Sequence, residues 1–231
     1  MAEQFPVKII ARIHSDFPSK FGIPRQSGLV ERLESMIVFE PEYRNPQALR
    51  GLEDFSHIWL IWQFSKAVRE DWSPTVRPPK LGGNTRMGVF ATRSPFRPNA
   101  IGLSSVRLER IEKHPQYGMV LIVSGADLMD STPILDIKPY LPYTDSHPQA
   151  TGGFTDELHL NPLEVHIPEV WKERIPENKL EALVGVLEHD PRPSYQEDPT
   201  RVYGFFFGGM EIRFTVEGHL LTVCGITVEN E

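Results

Sequence analysis

The chain has 231 residues, 40% of them hydrophobic, and carries a formal net charge of −7 at pH 7. This length and composition predict a soluble globular protein with one good hydrophobic core and room for a small second one. No window approaches the roughly 18 consecutive apolar residues of a membrane span, and the amino terminus lacks the pattern of a secretion signal. We therefore expect a cytoplasmic protein with no membrane partner.

The first quarter of the chain predicts strands separated by turn-forming loops. In order, the predicted elements are a strand over residues 5–13, a loop over 14–28, a strand over 29–39, a short helical piece over 47–52 and a strand over 55–64. The first strand places Val7 and Ile13 on its apolar face. The last is the most apolar segment and predicts a strand buried on both faces. His57, at its start, is interpreted as a core or rim histidine.

A basic segment follows, although the whole protein is acidic. Between Trp72 and Leu108 there is no Asp or Glu, and the cationic residues are Arg77, Lys80, Arg86, Arg93, Arg97 and Arg107. The segment also contains the glycine pair Gly82-Gly83 and a strand-like run over residues 87–91. Planar guanidinium groups suit carboxylates and phosphates, so this segment predicts a binding site for an anion.

Two further strands are predicted over residues 102–111 and 119–124, and the succession of short strands predicts a closed or nearly closed β-barrel. Residues 127–143 then combine three carboxylates, one lysine and two tyrosines with three prolines. They predict a rigid loop dense in functional groups. A purely structural turn is the alternative, but turns have no use for Lys138 or a pair of tyrosines.

The carboxyl-terminal part predicts a small α+β unit. Its elements are a linker over residues 147–155, a strand over 164–167, a helix over 178–189 and a meander of strands over 203–207, 211–216 and 220–228. The fold class is therefore mainly β, with a barrel domain over residues 1–150 and a small α+β domain over 151–231. Cys224 is expected to be a small core residue rather than a catalytic thiol.

Several common chemistries have no support in the sequence. It contains no G-x-G-x-x-G, G-x-x-x-x-G-K-[ST], H-E-x-x-H or G-x-S-x-G motif and no pair of C-x-x-C motifs. Nucleotide-binding, zinc and serine-hydrolase interpretations are therefore disfavoured. His159 and His166 make a weak candidate pair for a metal, and we predict no metal site.

A set of longer motifs resembles the bacterial tRNA (adenine-37)-N6-methyltransferase family, also called the TsaA-like family. These motifs are Pro24-Arg25-Gln26, residues 51–57 (GLEDFSH), 77–79 with 82–84, 90–94 with 96–99, 136–140 (DIKPY) and 190–193 with Tyr195. The resemblance covers nearly the whole chain. It implies an all-β barrel that binds S-adenosylmethionine, a homodimer with its site near the subunit interface, and methylation of N6 of threonylcarbamoyladenosine at position 37 in the anticodon loop of threonine tRNA.

The resemblance also implies which residues contact the cofactor. They are Pro24, Arg25, Gln26, Ser65, Lys66, Arg93, Leu103, Ser124, Gly125, Ala126 and Asp127. Relatives carry His-Gln where this chain has Ser65-Lys66, so the sequence departs from the family there. The chemistry fits, because an arginine can grip the cofactor's carboxylate, Asp127 can accept from its ribose diol and backbone groups near Ser124 suit its adenine edge.

For catalysis the resemblance implies Asp136, Lys138 and Tyr140. The target nitrogen belongs to a ureido group and is a poor nucleophile while protonated, so positioning and proton removal are the main tasks. Asp136 would accept or orient the proton, Tyr140 or Tyr143 would stack the extruded base, and Lys138 or Arg97 would hold the threonyl carboxylate. Arg86 is expected to contact tRNA, as is Lys80.

Two other functions remain open from the sequence. One is a non-catalytic RNA-binding or anion-binding module, in which the arginines hold phosphates and residues 136–140 are structural. The other is a hydrolase acting on a phosphorylated small molecule. Both would lack methyl transfer, and the first would ignore S-adenosylmethionine.

Overall fold

The computed structural model describes residues 5–69, 71–78, 85–156, 161–192 and 198–228. The amino-terminal strands are β1 (Ala11–His14), β2 (Glu34–Phe39), β3 (His57–Gln63), β4 (Thr75–Val76), β5 (Met87–Gly88), β6 (Ile101–His114), β7 (Gly118–Ser124) and β8 (Pro133–Pro139). Then come helix α1 (Pro142–Asp145), strand β9 (Glu164–His166), helices α2 (Glu169–Lys172) and α3 (Glu177–Glu188), and strands β10 (Tyr203–Phe207), β11 (Met210–Glu217) and β12 (Leu220–Val228).

Six antiparallel strands form a closed barrel in the order β1-β2-β7-β6-β3-β8. The sheet closes because β8 pairs with β3 on one side and with β1 on the other. Alternation along each strand sends every second side chain inward, as with Ile58, Leu60 and Trp62 of β3, which join the barrel core. The prediction of a mainly β protein is therefore confirmed. Strands β4 and β5 form a separate two-stranded ribbon.

The second unit is a four-stranded sheet in the order β10-β11-β12-β9 with helix α3 packed on it. The predicted meander is confirmed, and Gly218 makes its tight turn with a φ of +59°. Strand β9 adds to it in parallel with β12. Helix α3 begins and ends within one residue of the predicted bounds. Its buried side chains are Ala182, Leu183, Val186 and Leu187.

Part of the amino-terminal loop belongs to the core of this second unit. Phe17, Val30 and Leu33 are buried in the cluster formed by α3 and β10–β12. Gly22 is required here, because it has a φ of +87° and a Cβ at this position would lie 2.3 Å from the ring of Phe205. The loop thus fixes the barrel against the carboxyl-terminal sheet, and it also carries the Pro24-Arg25-Gln26 motif.

Several predicted elements need correction. The first strand begins only at Ala11, and Phe5 and Val7 are 89% and 58% exposed because no neighbouring strand covers them. The second predicted strand begins at Glu34 rather than at residue 29. Strand β3 is not buried on both faces, since its outward side chains, including His57, are only half-buried. Residues 89–91 form a 3-10 turn instead of continuing β5.

Two smaller expectations are also corrected. Cys224 is exposed, because Val223 takes the inward position at this point of β12. Residues 133–139 are a barrel strand and not a loop.

No helix among the described residues is long and apolar enough to cross a membrane. In the same parts of the chain, no group of His, Cys, Asp and Glu side chains is arranged to hold a metal ion. His159, Lys80, Gly82 and Gly83, for which the sequence made predictions, lie outside the described residues.

Candidate active site

The Pro24-Arg25-Gln26 turn and the basic segment meet through their side chains. Gln26 Oε1 accepts a hydrogen bond from the Arg93 guanidinium. Pro24 is buried, and Arg25 Nη2 donates to the Arg192 carbonyl at 3.4 Å. Two motifs 67 residues apart, both predicted to hold the cofactor, are therefore adjacent in the fold.

Asp127 lies at the centre of this group and is held by a buried relay of hydrogen bonds. Ser104 Oγ donates to Asp127 Oδ1 at 2.6 Å and accepts from Trp62 Nε1 at 3.0 Å. Burial raises the pKa of Asp127, while the hydrogen bond from Ser104, backbone N–H groups that include that of Ser27, and the charge of Arg93 act in the opposite direction. The result is a largely desolvated carboxylate facing a cation.

The turn after β7 brings backbone groups against the same loop. Gly28 N donates to the Gly125 carbonyl at 2.9 Å. Gly125 has a φ of +76°, which side chains rarely adopt, so a substitution there would strain the turn, while its Cβ would lie in van der Waals contact with the Gly28 backbone at 3.4 Å. Ser124 Oγ is engaged with Glu109, and Ala126 is in the barrel core. Of these predicted cofactor residues, Ser124 and Ala126 can therefore offer mainly backbone groups.

Three predicted cofactor residues lie apart from this group. Leu103 is 54% exposed on the outer face of β6, since the next residue, Ser104, points inward. Ser65 and Lys66 are exposed in the turn after β3, where Ser65 N donates to the Gln63 carbonyl. Among the described residues, no hydrogen bond or salt bridge joins Leu103, Ser65 or Lys66 to Asp127 or Arg93.

The predicted catalytic residues lie on the outer face of the barrel. Asp136 and Lys138 are two residues apart in β8 and therefore lie on the same face of the strand. They form a salt bridge of 2.9 Å, and their side chains are 46% and 61% exposed. The hydrogen bond that Lys138 Nζ donates to the Asp136 carboxylate raises the pKa of Lys138, which stays charged. Asp136 Oδ1 also accepts from the backbone N–H of Ile137 at 2.9 Å. A strand therefore sets their spacing, which is more rigid than the predicted loop.

Aromatic side chains border this pair. The ring of Tyr140 packs against Trp59, with centroids 5.6 Å apart, and against His57 at 6.2 Å. Trp59 Nε1 donates to Asp145 Oδ2 at 2.8 Å. The backbone N–H of Leu141 also donates to that oxygen, and these two hydrogen bonds lower the pKa of Asp145. Tyr143, two residues before Asp145, is 86% exposed.

The strand register relates the two groups of predicted residues. Leu103, Ile61 and Asp136 are cross-strand partners in one row over β6, β3 and β8. This row faces outward, whereas Ser104, which holds Asp127, faces inward. No hydrogen bond or salt bridge joins the Asp136 group to the Asp127 group within the described part of one chain.

A basic cavity of about 650 Å³ opens beside Gln26 and Arg93. Its lining includes the guanidinium-bearing residues Arg69, Arg77, Arg86 and Arg93 together with Phe96 and Phe154. Arg69 stacks on Phe96, with its guanidinium carbon 3.9 Å from the ring centroid. Arg97 Nη1 donates to the Thr92 carbonyl at 3.2 Å. The predicted substrate residue Arg86 thus lies in a cationic cavity that shares Gln26 and Arg93 with the Asp127 group.

Sequence reasoning missed several members of these groups. Ser104 and Trp62 hold Asp127, Trp59 and Asp145 support Tyr140, and Arg69 stacks in the cavity. The inward position of Ser104 on an alternating strand was a detectable signal, because a polar residue in a barrel core needs a hydrogen-bond partner. The Trp59 to Asp145 hydrogen bond spans 86 residues and had no local signal.

The buried carboxylate leads to a prediction about stability. Because burial raises the pKa of Asp127 in the folded chain, the charge costs stability above that pKa. The cost is absent below the unfolded pKa, near 3.8, and grows as the pH rises to the folded value. Asp127→Asn keeps an acceptor for Ser104 without the charge. At pH 7 we expect the melting temperature of this variant to exceed that of the wild type by about 2–4 °C for each kcal/mol of burial cost that the substitution removes.

Thermal unfolding of both proteins between pH 4 and pH 8 checks this prediction. The difference should narrow as the pH falls towards 4. Asp54→Asn, at an exposed position, is the matched control and should leave the melting temperature unchanged. A wild-type protein as stable as Asp127→Asn at every pH would show that burial of this carboxylate carries no cost.

Comparison with known proteins places these features in a family. The model of the tRNA-methyltransferase O N-terminal domain matches residues 12–146, and that of the TrmO C-terminal domain matches residues 161–229. The tRNA (adenine(37)-N6)-methyltransferase of Escherichia coli is 39% identical over 221 residues, covering 92% of this chain and 93% of the relative.

Two further proteins are similar to this chain over nearly its whole length. The putative S-adenosylmethionine-dependent methyltransferase RcsF of Pseudomonas aeruginosa is 39% identical over 220 residues, covering 90% of this chain and 91% of the relative. The crystal structure of TrmO from P. aeruginosa superimposes with a TM-score of 0.80 at 33% identity, covering 99% of each chain.

Proposed function

Because this chain belongs to the tRNA-methyltransferase O family, we propose that it methylates N6 of adenosine 37 in tRNA with S-adenosylmethionine as the methyl donor. The substrate we propose in detail is threonylcarbamoyladenosine at position 37 of threonine tRNA. The enzyme would act in the cytoplasm, where tRNA is modified. We also propose a barrel domain over residues 1–150 and a small α+β domain over 151–231, which contributes to tRNA contact.

The observation that carries this proposal is the meeting of Gln26, Arg93 and Asp127 beside a cationic cavity. When bound, S-adenosylmethionine supplies an electrophilic methyl group. Arg93 is exposed and makes no salt bridge among the described residues, so its fork can take the carboxylate of an amino acid. A carboxylate has about four acceptor sites, of which Ser104 and backbone N–H groups use only some, so Asp127 can also accept from a ribose diol. The donor and acceptor set thus fits the cofactor.

For the chemical step we propose roles for the outer-face residues. Asp136 accepts or orients the proton of the N6 nitrogen, and Tyr140 or Tyr143 stacks the base. Lys138 or Arg97 holds the threonyl carboxylate. The salt bridge between Asp136 and Lys138 supports a paired arrangement, since it keeps a carboxylate and a cation at a fixed spacing.

We further propose that the enzyme is a homodimer. Within the described part of one chain no hydrogen bond or salt bridge joins the Asp136 group to the Asp127 group, and we propose that a second subunit brings one group to the other. Two apolar residues on the outer face of β6, Ile101 and Leu103, are 41% and 54% exposed. Their exposure supports packing of a second copy of the chain against this face. Leu103 would then approach the cofactor across the subunit interface.

Calorimetric titration with S-adenosylmethionine tests the proposed function against its alternatives. We expect saturable binding to the wild type and methyl transfer to tRNA in the same preparation. A protein that binds tRNA but ignores the cofactor would be a non-catalytic RNA-binding module. A protein that cleaves phosphorylated small molecules and transfers no methyl group would be a hydrolase.

A further inference from the structure

Two exposed aromatic side chains lie together on the β4–β5 ribbon. Trp72 precedes β4 and Phe90 follows β5, and they are 52% and 73% exposed. Their ring centroids are 6.1 Å apart with an angle of 31° between the ring planes. Neither residue belongs to the groups described above. Exposed aromatic side chains that lie against each other form a contiguous apolar surface, and such surfaces mark interaction sites when they are large enough.

The ribbon holds this pair in place. Thr75 pairs with Gly88 and Val76 with Met87, and Val89 N donates to the Pro74 carbonyl at 2.9 Å. Val89 is 1% exposed and anchors the turn after β5 in the protein. The following residue, Phe90, is thereby directed outward, towards Trp72. The aromatic pair is therefore presented by a fixed backbone.

From Trp72 onward the charge of the chain favours an anionic partner, whereas Glu70 and Asp71 precede Trp72 in sequence. No Asp or Glu occurs between Trp72 and Leu108, while the whole chain has a formal charge of −7. Ser73, which follows Trp72, and Thr75 of β4 line the cavity that contains Arg77 and Arg86. In the described part of the chain, neither arginine forms a salt bridge. An RNA with unpaired bases suits this surface, because aromatic rings stack bases while nearby arginines contact phosphates.

We propose that Trp72 and Phe90 form a stacking platform for an unpaired base of the tRNA, beside the base that is methylated. This proposal rests on the proposed function, because it takes tRNA as the substrate. The platform would guide the anticodon loop over the cationic cavity, where Arg86 contacts a phosphate. Stacking contributes affinity with little dependence on salt, whereas phosphate contacts depend on it strongly.

The platform is tested by measuring how tightly full-length variants bind a tRNA with an unpaired anticodon loop over a range of salt concentrations. We expect Trp72→Ala and Phe90→Ala each to weaken binding about 5- to 150-fold, which is the range for loss of one stacked base. The slope of log affinity against log salt should stay at the wild-type value. Arg86→Ala should instead lower that slope by roughly one. Trp72→Phe should retain most of the affinity.

Controls separate this proposal from the proposed function. Phe5→Ala, which removes an aromatic ring that is even more exposed, should leave tRNA binding unchanged, and cofactor titration checks that each variant is folded. If the wild type transfers methyl groups and Trp72→Ala and Phe90→Ala bind tRNA as tightly as it does, the stacking platform is refuted while the proposed function stands. The same conclusion follows if the two substitutions change only the oligomeric state. A wild type without methyl transfer would overturn the proposed function itself.

Discussion

Asp136→Ala is expected to lower single-turnover methyl transfer by about 100- to 10,000-fold, the range for loss of a general acid or base. Asp136 is half-exposed on β8 and is held by Lys138 and by the backbone N–H of Ile137. It is thus fixed in place but open to a substrate. An interaction made mainly in the transition state appears in the rate and not in ground-state binding, so the affinity for S-adenosylmethionine should remain near the wild-type value.

Rapid-quench assays under single-turnover conditions, with cofactor titration of the same variants, check this result. Tyr140→Ala, which removes a ring proposed to stack the base, should also slow transfer and leave cofactor affinity unchanged. Asp54→Ala, which removes an exposed carboxylate elsewhere, is the control and should react at the wild-type rate. Loss of cofactor binding or of the folded state in Asp136→Ala would mean that residues 136–140 are structural.

Arg93→Ala is expected to weaken S-adenosylmethionine binding by about 10- to 150-fold, because a hydrogen bond to a charged group contributes roughly 1.5–3 kcal/mol. Arg93 already contacts Gln26 and acts electrostatically on Asp127. Its loss therefore removes the partner of the cofactor's carboxylate and leaves the Asp127 charge less compensated. Arg93→Lys should recover only part of the affinity, since an ammonium group lacks the planar fork.

The matched control is Arg32→Ala, which removes an arginine that is 71% exposed and paired with Glu181 on the second unit. Calorimetric titration should give it wild-type affinity. If Arg93→Ala binds the cofactor as tightly as the wild type, Arg93 is not a cofactor ligand.

The sequence predicted what depends on local patterns. The continuous apolar run of β7, the helical periodicity of α3 and the alternation in the meander β10–β12 are local patterns, and the structure has these elements close to the predicted bounds. Strand β8 was misread as a loop because Pro133 and Pro139 look like turn residues. They are its first and last residues, and a proline at a strand end costs few ladder hydrogen bonds.

Contacts between distant parts of the chain could not be predicted in this way. Burial of Phe17 against the carboxyl-terminal sheet depends on residues near position 207, so the sequence predicts only a loop in that region. The relay from Trp62 through Ser104 to Asp127 joins three segments of the barrel. The family resemblance supplied the residues of the candidate site. The structure was needed to show that they lie in two separate groups, around Asp127 and around Asp136.

The central claim is tested most directly by incubating the purified protein with S-adenosylmethionine and threonine tRNA, then analysing the nucleosides by mass spectrometry. Two tRNA preparations are compared, one with threonylcarbamoyladenosine at position 37 and one with unmodified adenosine there. We expect one added methyl group on N6 of the threonylcarbamoyladenosine and none on the unmodified transcript, because the enzyme is proposed to hold the threonyl carboxylate. Equal methylation of both would contradict the roles of Lys138 and Arg97, and absence of methylation at position 37 in both would contradict the proposed function.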